Sequence, residues 1–256
     1  MKIALLSDIH SNLPALQACA DHAHEQGADA FAVLGDLVGY GPYPNEVVEW
    51  CRNQQQAGAI VIRGNHDRRF RLADAAIRPD TSPSDQAIAA DWTTGQLDDE
   101  TWAWLESLPL TDIRGGVFHV HGTAENPQAW HYASDPTLAT LSLEAARRNP
   151  GVNFVVCGHV HQQALFYEGK SGQSLMQFSP TPGIPIPVAS HRHWLATVGS
   201  VGQPRDGDPR ASYALLDTDR ATLCFHRVAY DIEETTQRIH SAGLPAALAL
   251  RLERGL

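Results

Sequence analysis

Residues 2–12 read KIALLSDIHSN, a short apolar run that ends at Asp8 and His10. A run of this length, rich in Ile and Leu, is typical of a buried strand followed by a loop. Carboxylate and imidazole groups at the end of a strand are also ligand types for divalent metal ions. The segment therefore predicts a strand with two candidate ligands, although a lone Asp-x-His is more often a turn with a capping Asp.

The same arrangement of an apolar run followed by polar residues recurs four times along the chain. The later polar segments are Gly35-Asp36-Leu37-Val38-Gly39, Gly64-Asn65-His66-Asp67, His121-Gly122 and Gly158-His159-Val160-His161. Open α/β sheets place their sites at the carboxyl ends of strands, so we expect these polar residues to gather there. A turn or a surface position explains any one segment, but it does not explain five segments in register.

The secondary-structure pattern changes along the chain. Strands over 2–7, 29–34 and 59–63 alternate with helices over 13–26 and 45–57, which is the βαβαβ order of a parallel sheet. Further helices are predicted over 83–93, 98–107 and 136–148, and a helical stretch over 231–254 is broken near 243–245. Further strands are predicted over 110–114, 116–120, 152–157, 162–168, 173–178, 194–198, 211–217 and 221–228. This pattern supports an α/β fold with a strand-rich second half.

Composition limits the classes of partner. The 256 residues carry a net charge of −10, which argues against an extended basic groove for nucleic acid but not against a small phosphate ligand. The four cysteines lie far apart and are expected to be reduced thiols. We see no linker, leader or membrane-spanning segment, so one domain over 1–256 in the cytoplasm is expected.

The ordered motifs Asp-x-His, Gly-Asp-x-x-Gly, Gly-Asn-His-Asp, His-Gly and Gly-His-x-His together resemble the calcineurin-like metallophosphoesterase superfamily. The segments 7–13, 39–45 and 199–206 are similar to its small bacterial and archaeal branch, and the resemblance covers about residues 1–230. It implies a four-layer α/β/β/α sandwich, in which two facing mixed sheets are flanked by helices. The last stretch of the chain carries no motif that we can match.

The resemblance also implies a site for two divalent or trivalent ions, with Mn, Fe, Zn or Ni as candidates. Its first metal would be bound by Asp8, His10, Asp36 and His161, and its second by Asp36, Asn65, His121 and His159. Asp36 would bridge the pair. His119 competes with His121 for one position, and His121 is preferred because the family's ligand directly precedes a glycine.

Two further residues receive catalytic roles from the resemblance. His66 would donate a hydrogen bond to a phosphoryl oxygen or a proton to the leaving group. Asp67 would hold the tautomer of His66 and raise its pKa. The arginine-rich stretch 68–71 is interpreted as a solvated loop in preference to a nucleotide clamp.

Asn12 and Arg205 are candidate substrate-binding residues with open alternatives. Asn12 either contacts phosphate or serves only as the N-cap of the first helix. Arg205 either makes a charge-assisted hydrogen bond to a substrate phosphate or forms a loop ion pair with Asp206 or Asp208, and the ion pair is slightly favoured.

The expected function is hydrolysis of small phosphomonoesters or phosphodiesters by attack of a metal-bridging hydroxide. Nucleotides are one possible class of these substrates. The partner would be a small phosphoester substrate, with no membrane association. The alternative is a non-catalytic protein-binding scaffold with a vestigial metal site. A scaffold tolerates the loss of ligands, whereas this chain retains all of them. The sequence specifies neither the native metal nor the oligomeric state.

Overall fold

The computed structural model of the protein describes residues 1–72, 83–169 and 175–256. Within these ranges the strands are β1 (Lys2–Leu6), β2 (Ala30–Val33), β3 (Ile60–Val61), β4 (Thr111–Arg114), β5 (Val117–Val120), β6 (Phe154–Cys157), β7 (Gln163–Glu168), β8 (Leu175–Phe178), β9 (Ile186–Pro187), β10 (Trp194–Val198), β11 (Ala211–Asp217) and β12 (Thr222–Val228). The helices are α1 (Leu13–Glu25), α2 (Pro44–Gln56), α3 (Asp85–Gln96), α4 (Asp99–Ser107), α5 (Pro136–Ala146), α6 (Ile232–Ser241) and α7 (Ala246–Arg254).

The strands form two six-stranded mixed sheets. Sheet 1 has the order β3-β2-β1-β11-β12-β9, and its parallel half is the predicted βαβαβ unit. Sheet 2 has the order β4-β5-β6-β10-β7-β8, with β5, β6 and β10 parallel. In each sheet the parallel strands end at a common edge, which is where the candidate ligands follow them.

Strand β1 shows why its sequence is apolar throughout. Ile3 and Leu5 lie in the core between the two sheets, together with residues of sheet 2 such as Val156. Ala4 and Leu6 instead pack on the outer side, against helices. Successive side chains of a strand point to opposite faces, so a strand covered on both faces has no polar alternation.

Helices cover the outer face of each sheet. Helices α1, α2 and α4 pack on sheet 1 through a cluster that contains Leu16, Val47 and Trp102. Helix α5 packs on sheet 2 through Leu143 and neighbouring alanines. The order helix, sheet, sheet, helix confirms the predicted four-layer α/β/β/α sandwich.

The turns of the fold follow the local sequence closely. Gly115 and Gly116 join β4 to β5 with φ of +57° and +80°, the left-handed values that a two-residue hairpin turn requires. The carboxylate of Asp217 accepts hydrogen bonds from the backbone N–H groups of Asp219 and Arg220, which closes the predicted turn between β11 and β12.

Two details of the prediction differ from the structure or lie outside it. The two-residue strand β9, which pairs with the edge of β12, was not predicted because its Ile-Pro sequence has no strand pattern. The predicted strand 173–178 begins outside the described residues and is observed from Leu175. The C-terminal stretch is broken as predicted, between α6 and α7. Within the described ranges, every helix is too short or too polar to span a bilayer.

Candidate metal centre and active site

The candidate ligands lie in the loops that directly follow the parallel strands of both sheets. Asp8 and His10 follow β1, and Asp36 follows β2. The backbone N–H of Asp8 donates to Gly35 O at 3.0 Å, and the N–H of His10 donates to Asp36 O at 3.0 Å. The first two ligand loops are therefore fixed to each other before any side chain is considered.

The first cluster consists of Asp8, His10 and His161. Their ligand atoms all lie within 4.8 Å of one another, and all three side chains are buried. The Nε2 atom of His161 lies 3.1 Å from Asp8 Oδ1 and 3.3 Å from His10 Nε2. Three candidate ligand atoms from two loops thus lie close to one point.

The second cluster consists of Asp36, His121 and His159, again with all ligand atoms within 4.8 Å. The Oδ2 atom of Asp36 lies 3.3 Å from His121 Nε2 and 3.8 Å from His10 Nε2, so this carboxylate faces both clusters. Asn65 Oδ1 lies 3.1 Å from His121 Nε2. The structure therefore brings together all seven residues of the predicted ligand set.

Backbone carbonyls fix the orientation of three imidazoles. The Nδ1 atoms of His10, His121 and His161 lie 3.2, 2.7 and 2.6 Å from the carbonyl oxygens of Val38, Leu34 and Gln203. A hydrogen bond of this kind assigns the proton to Nδ1 and leaves the Nε2 lone pair free to bind a metal. The three Nε2 lone pairs therefore point into the clusters.

The donor set fits divalent metal ions. Asp8 Oδ1 is buried and, among the described residues, has no hydrogen-bond partner, which a cation between the ligands would supply. Burial tends to raise the pKa of Asp36, but His121 and His66 outweigh burial and hold that pKa well below its ordinary value. The carboxylate is therefore ionised. Oxygen and imidazole ligands without thiolate suit Mn, Fe or Zn.

The ligand loops have unusual backbone conformations. Five candidate ligand residues have φ in the left-handed region: Asp8 (+52°), His10 (+48°), Asp36 (+53°), His159 (+66°) and His161 (+61°). Such conformations cost about 1–3 kcal/mol each and are maintained only where the surrounding structure enforces them. The packing is equally tight at Gly158, where a Cβ would overlap Ser7 Oγ. The ligands are held in position by the fold itself.

His66 lies beside the clusters without joining either. Its backbone N–H donates to Asp36 Oδ1 at 2.8 Å, which places His66 next to the Asp36 carboxylate. The ring packs edge-on against His10, at 5.1 Å between centroids, and against Tyr40 at 4.8 Å. Burial lowers the pKa of His66. This placement suits a group that contacts substrate.

The prediction that Asp67 holds the ring of His66 is wrong. The Oδ1 atom of Asp67 accepts from the backbone N–H groups of Leu37 and Val38, at 2.8 and 3.2 Å. Its Oδ2 atom accepts from the N–H of Gly64 at 2.8 Å. Because both oxygens accept from backbone N–H groups, Asp67 joins the Asp36 loop to the Asn65 loop and does not orient the His66 ring.

Asn12 serves as the N-cap of α1. Its Oδ1 accepts from Ala15 N at 3.3 Å and from Thr235 Oγ1 at 3.1 Å. Its Nδ2 donates to Gly202 O at 2.9 Å and to Tyr230 Oη at 3.2 Å. The whole amide is occupied by protein partners.

Arg205 does not form the loop ion pair that the sequence slightly favoured. Asp206 pairs with Arg227 instead, and Asp208 pairs with Arg210. The Arg205 guanidinium donates to Gln203 Oε1 at 2.7 Å and lies 5.8 Å from the centre of the Tyr40 ring. Because Tyr40 contacts both His10 and His66, Arg205 lies near the site.

The structure selects between the two histidines of β5 and its loop. His121 reaches Asp36, whereas His119 Nδ1 lies 3.2 Å from the backbone oxygen of Asp112 on β4.

Sequence reasoning missed Tyr132, which stacks on His159 with 4.0 Å between ring centroids. No spacing in the sequence connects Tyr132 to a motif, because it lies within the long loop between β5 and α5.

The comparisons with known proteins agree with this architecture. Residues 1–163, more than half of the chain, match the family model of calcineurin-like phosphoesterases. The chain belongs to this family, which confirms the resemblance seen in its motifs. The matched segment contains every residue of the two clusters and excludes Arg205.

Three relatives show how far the likeness extends. A metallophosphoesterase of Sphaerobacter thermophilus has a crystal structure with a TM-score of 0.85 and 37% identity, covering 100% of this chain and 99% of that one. An uncharacterized protein of Methanocaldococcus jannaschii is 33% identical, covering 99% of this chain and 98% of the relative. Phosphodiesterase YfcE of Escherichia coli K12 is 26% identical over 86% of this chain and 89% of its own length.

Proposed function

We propose that the protein is a metal-dependent hydrolase of small phosphomonoesters or phosphodiesters. The main support for this proposal is the pair of adjacent buried His/Asp clusters. The Asp36 carboxylate belongs to the second cluster and also faces His10 of the first. The ionised Asp36, its fixed imidazole neighbours and the buried Asp8 oxygen form a donor set that divalent cations satisfy. A structural role for so many buried polar groups would leave Asp8 Oδ1 unpaired, at a cost in free energy.

The first ion would be held by Asp8, His10 and His161, and the second by Asn65, His121 and His159. Asp36 would contact both. Two cations bound there would polarise the phosphoryl oxygens and acidify a water near neutral pH. An imidazole that binds an ion through Nε2 and keeps its Nδ1 proton on a backbone carbonyl is an uncharged ligand, so the positive charge of the ions would be retained for an anionic substrate.

The remaining residues of the site would act on the substrate. His66 is beside Asp36, from where its ring would contact the leaving oxygen and give it a hydrogen bond or a proton. Arg205, held by Gln203 and Tyr40, would bind a phosphate oxygen at the edge of the site. We assign Asp67 and Asn12 to positioning, since their polar atoms are used by the protein.

The test measures metal content and activity together. The protein, supplemented with Mn, Fe, Zn or Ni, is assayed on p-nitrophenyl phosphate, bis(p-nitrophenyl) phosphate and nucleotides. We expect two equivalents of metal and turnover, and Asp36→Asn should lose most of both. His119→Gln, which alters a buried histidine outside the clusters, is the matched control and should retain both. At most one equivalent of metal in active enzyme would contradict the two-metal assignment, and metal without turnover would favour the scaffold.

A further inference from the structure

A cavity of about 270 Å³ lies beside the candidate site, between the loop after β3 and the first turns of α3. Asn65 and His66 line one end of this cavity. Arg68 and Phe70 line the loop side, and Ala87 and Ala90 line the helix side. Its volume is just below the range of about 300–1,000 Å³ that small-molecule sites occupy, so it holds one organic group of modest size.

The walls of the cavity are fixed to each other. The Thr94 hydroxyl of α3 accepts from the backbone N–H of Phe70 at 3.1 Å and lies 2.7 Å from Phe70 O, to which it donates. The backbone N–H of Leu72 donates to Asp91 Oδ1 at 2.8 Å. Because the loop is bound to the helix at both residues, the cavity exists before a ligand enters it.

The position of the cavity defines which part of a substrate it faces. Asn65 is a candidate ligand of the second metal, and His66 is the candidate proton donor to the leaving oxygen. A group that enters the cavity would therefore be attached to the leaving oxygen of a phosphate bound at the clusters.

The lining specifies the chemistry of that leaving half. Phe70 offers an aromatic ring to a planar group. Ala87 and Ala90 are three residues apart on α3, so they share a face, and their small side chains leave room for such a group. Arg68 offers a positive charge beside His66, whereas the adjacent Arg69 is directed away to Asp99, with 2.7 Å between Nη2 and Oδ1.

We propose that this cavity binds the leaving half of the substrate, a planar organic group joined to a second anionic phosphate, as in a nucleoside diphosphate. The terminal phosphate would lie at the clusters, the next phosphate beside Arg68, and the planar base against Phe70. The inference rests on the proposed phosphoesterase function and names its substrate class. It also gives one arginine of the stretch 68–71 a ligand, where the sequence analysis preferred a solvated loop to a nucleotide clamp.

The first experiment fills the cavity. The competitive inhibition constants of ADP, AMP and inorganic phosphate are measured from the initial rates of bis(p-nitrophenyl) phosphate hydrolysis. This measurement is valid whether or not the nucleotides are themselves hydrolysed. Ala87→Leu should raise the constants of AMP and ADP about tenfold or more, as steric exclusion from a pocket does. The constant of phosphate should change less than about twofold. Ala103→Leu, on the exposed face of α4, is the matched control and should change none of them.

The second experiment removes the charge. Arg68→Ala should reduce the preference for ADP over AMP by about tenfold, because one charge-assisted hydrogen bond is lost. Arg69→Ala should leave that preference unchanged, because Arg69 is directed to Asp99.

The outcomes separate this inference from the proposed function. Turnover with nucleotide constants unchanged by Ala87→Leu would overturn the cavity assignment and leave the phosphoesterase function intact. If the metal-loaded protein hydrolyses nothing, the same three ligands are titrated by calorimetry, since no reaction then disturbs the measurement. Binding of ADP no tighter than phosphate would overturn the inference there.

Discussion

Replacing Asn12 by alanine would remove an amide that joins three parts of the fold. The amide caps α1 through Ala15, reaches the loop of Gly202, and contacts Tyr230 and Thr235 at the start of the C-terminal helices. The side chain is 1% exposed, so water cannot replace these partners. Alanine would leave several buried polar groups without a hydrogen bond.

The size of the loss follows from the four hydrogen bonds. An N-cap contributes about 1 kcal/mol, and each of the other three hydrogen bonds contributes about 1 kcal/mol. Asn12→Ala should therefore lower the free energy of unfolding by about 3–4 kcal/mol. Serine caps a helix as well as asparagine does but is too short for the other partners, so Asn12→Ser should recover about 1 kcal/mol of this loss.

The assay combines urea denaturation with steady-state kinetics. Unfolding is followed by tryptophan fluorescence and circular dichroism on metal-loaded protein, and KM is measured well below the denaturation temperature. We expect both variants to be less stable, in the order given, with KM for bis(p-nitrophenyl) phosphate close to that of the unmodified protein.

The opposite pattern would refute the reasoning. If Asn12→Ala changed the free energy of unfolding by less than about 0.5 kcal/mol and raised KM, the amide would be a substrate contact with little structural role. The N-cap interpretation would then be wrong, despite the hydrogen bonds that the amide makes.

Three further predictions concern single side chains. His66→Ala should retain both metals and lose roughly 10²–10⁴-fold in turnover, with a smaller loss for nitrophenol esters than for alkyl esters; an equal loss across leaving groups would contradict proton donation. Arg205→Ala should raise KM for nucleotide substrates and change bis(p-nitrophenyl) phosphate turnover little, whereas unchanged nucleotide hydrolysis would exclude a substrate contact. Burial and the neighbouring His22 lower the pKa of His226 to about 4, below the value of about 6.5 expected in the unfolded chain. The folded state therefore binds this proton less readily. The contribution of His226 to the free energy of unfolding is fully present above pH 6.5, and it falls by up to about 3 kcal/mol towards pH 4. His226→Gln should show a shallower fall than the unmodified protein in urea titrations at these pH values, and parallel curves would contradict the assignment.

The sequence predicted the strands and the loops of the candidate ligands because both depend on local patterns, whereas the four layers were implied by the resemblance to the family. Strand β1 is apolar on both faces, and Asp8 follows it directly, so one segment indicates a buried strand and a site residue together. The same holds for Asp36 after β2 and for His159 after β6. Register then brings the loops together, since parallel strands end at one edge.

The sequence could not predict contacts between segments that lie far apart. Asp67 follows His66 directly, which suggested a pair, but its three hydrogen-bond donors include Leu37 and Val38 of another loop. Arg205 precedes an aspartate, yet it turns to Tyr40, and the aspartate pairs with Arg227. In each case the adjacent residue in the sequence is not the partner of the side chain in the structure.

The cavity beside His66 was missed for a related reason. Its two walls are a loop and a helix that carry no shared motif, and their contact depends on Thr94 and Asp91 binding the backbone after Asp67. Single hydroxyl and carboxylate groups of this kind occur throughout the sequence. Only the assembled structure shows that Thr94 and Asp91 are the two that join the walls of this cavity.

Strand β1 lies inside sheet 1, between β2 and β11. Its residues pair with Leu215 and Leu216 of β11, which the ribosome adds long after the first ligand motif is complete. During synthesis, β1 therefore presents one unpaired edge, and such an edge is a template for pairing with another chain. Contacts this distant along the chain also slow folding. Until β11 emerges and pairs with β1, that edge would be open to pairing with other chains.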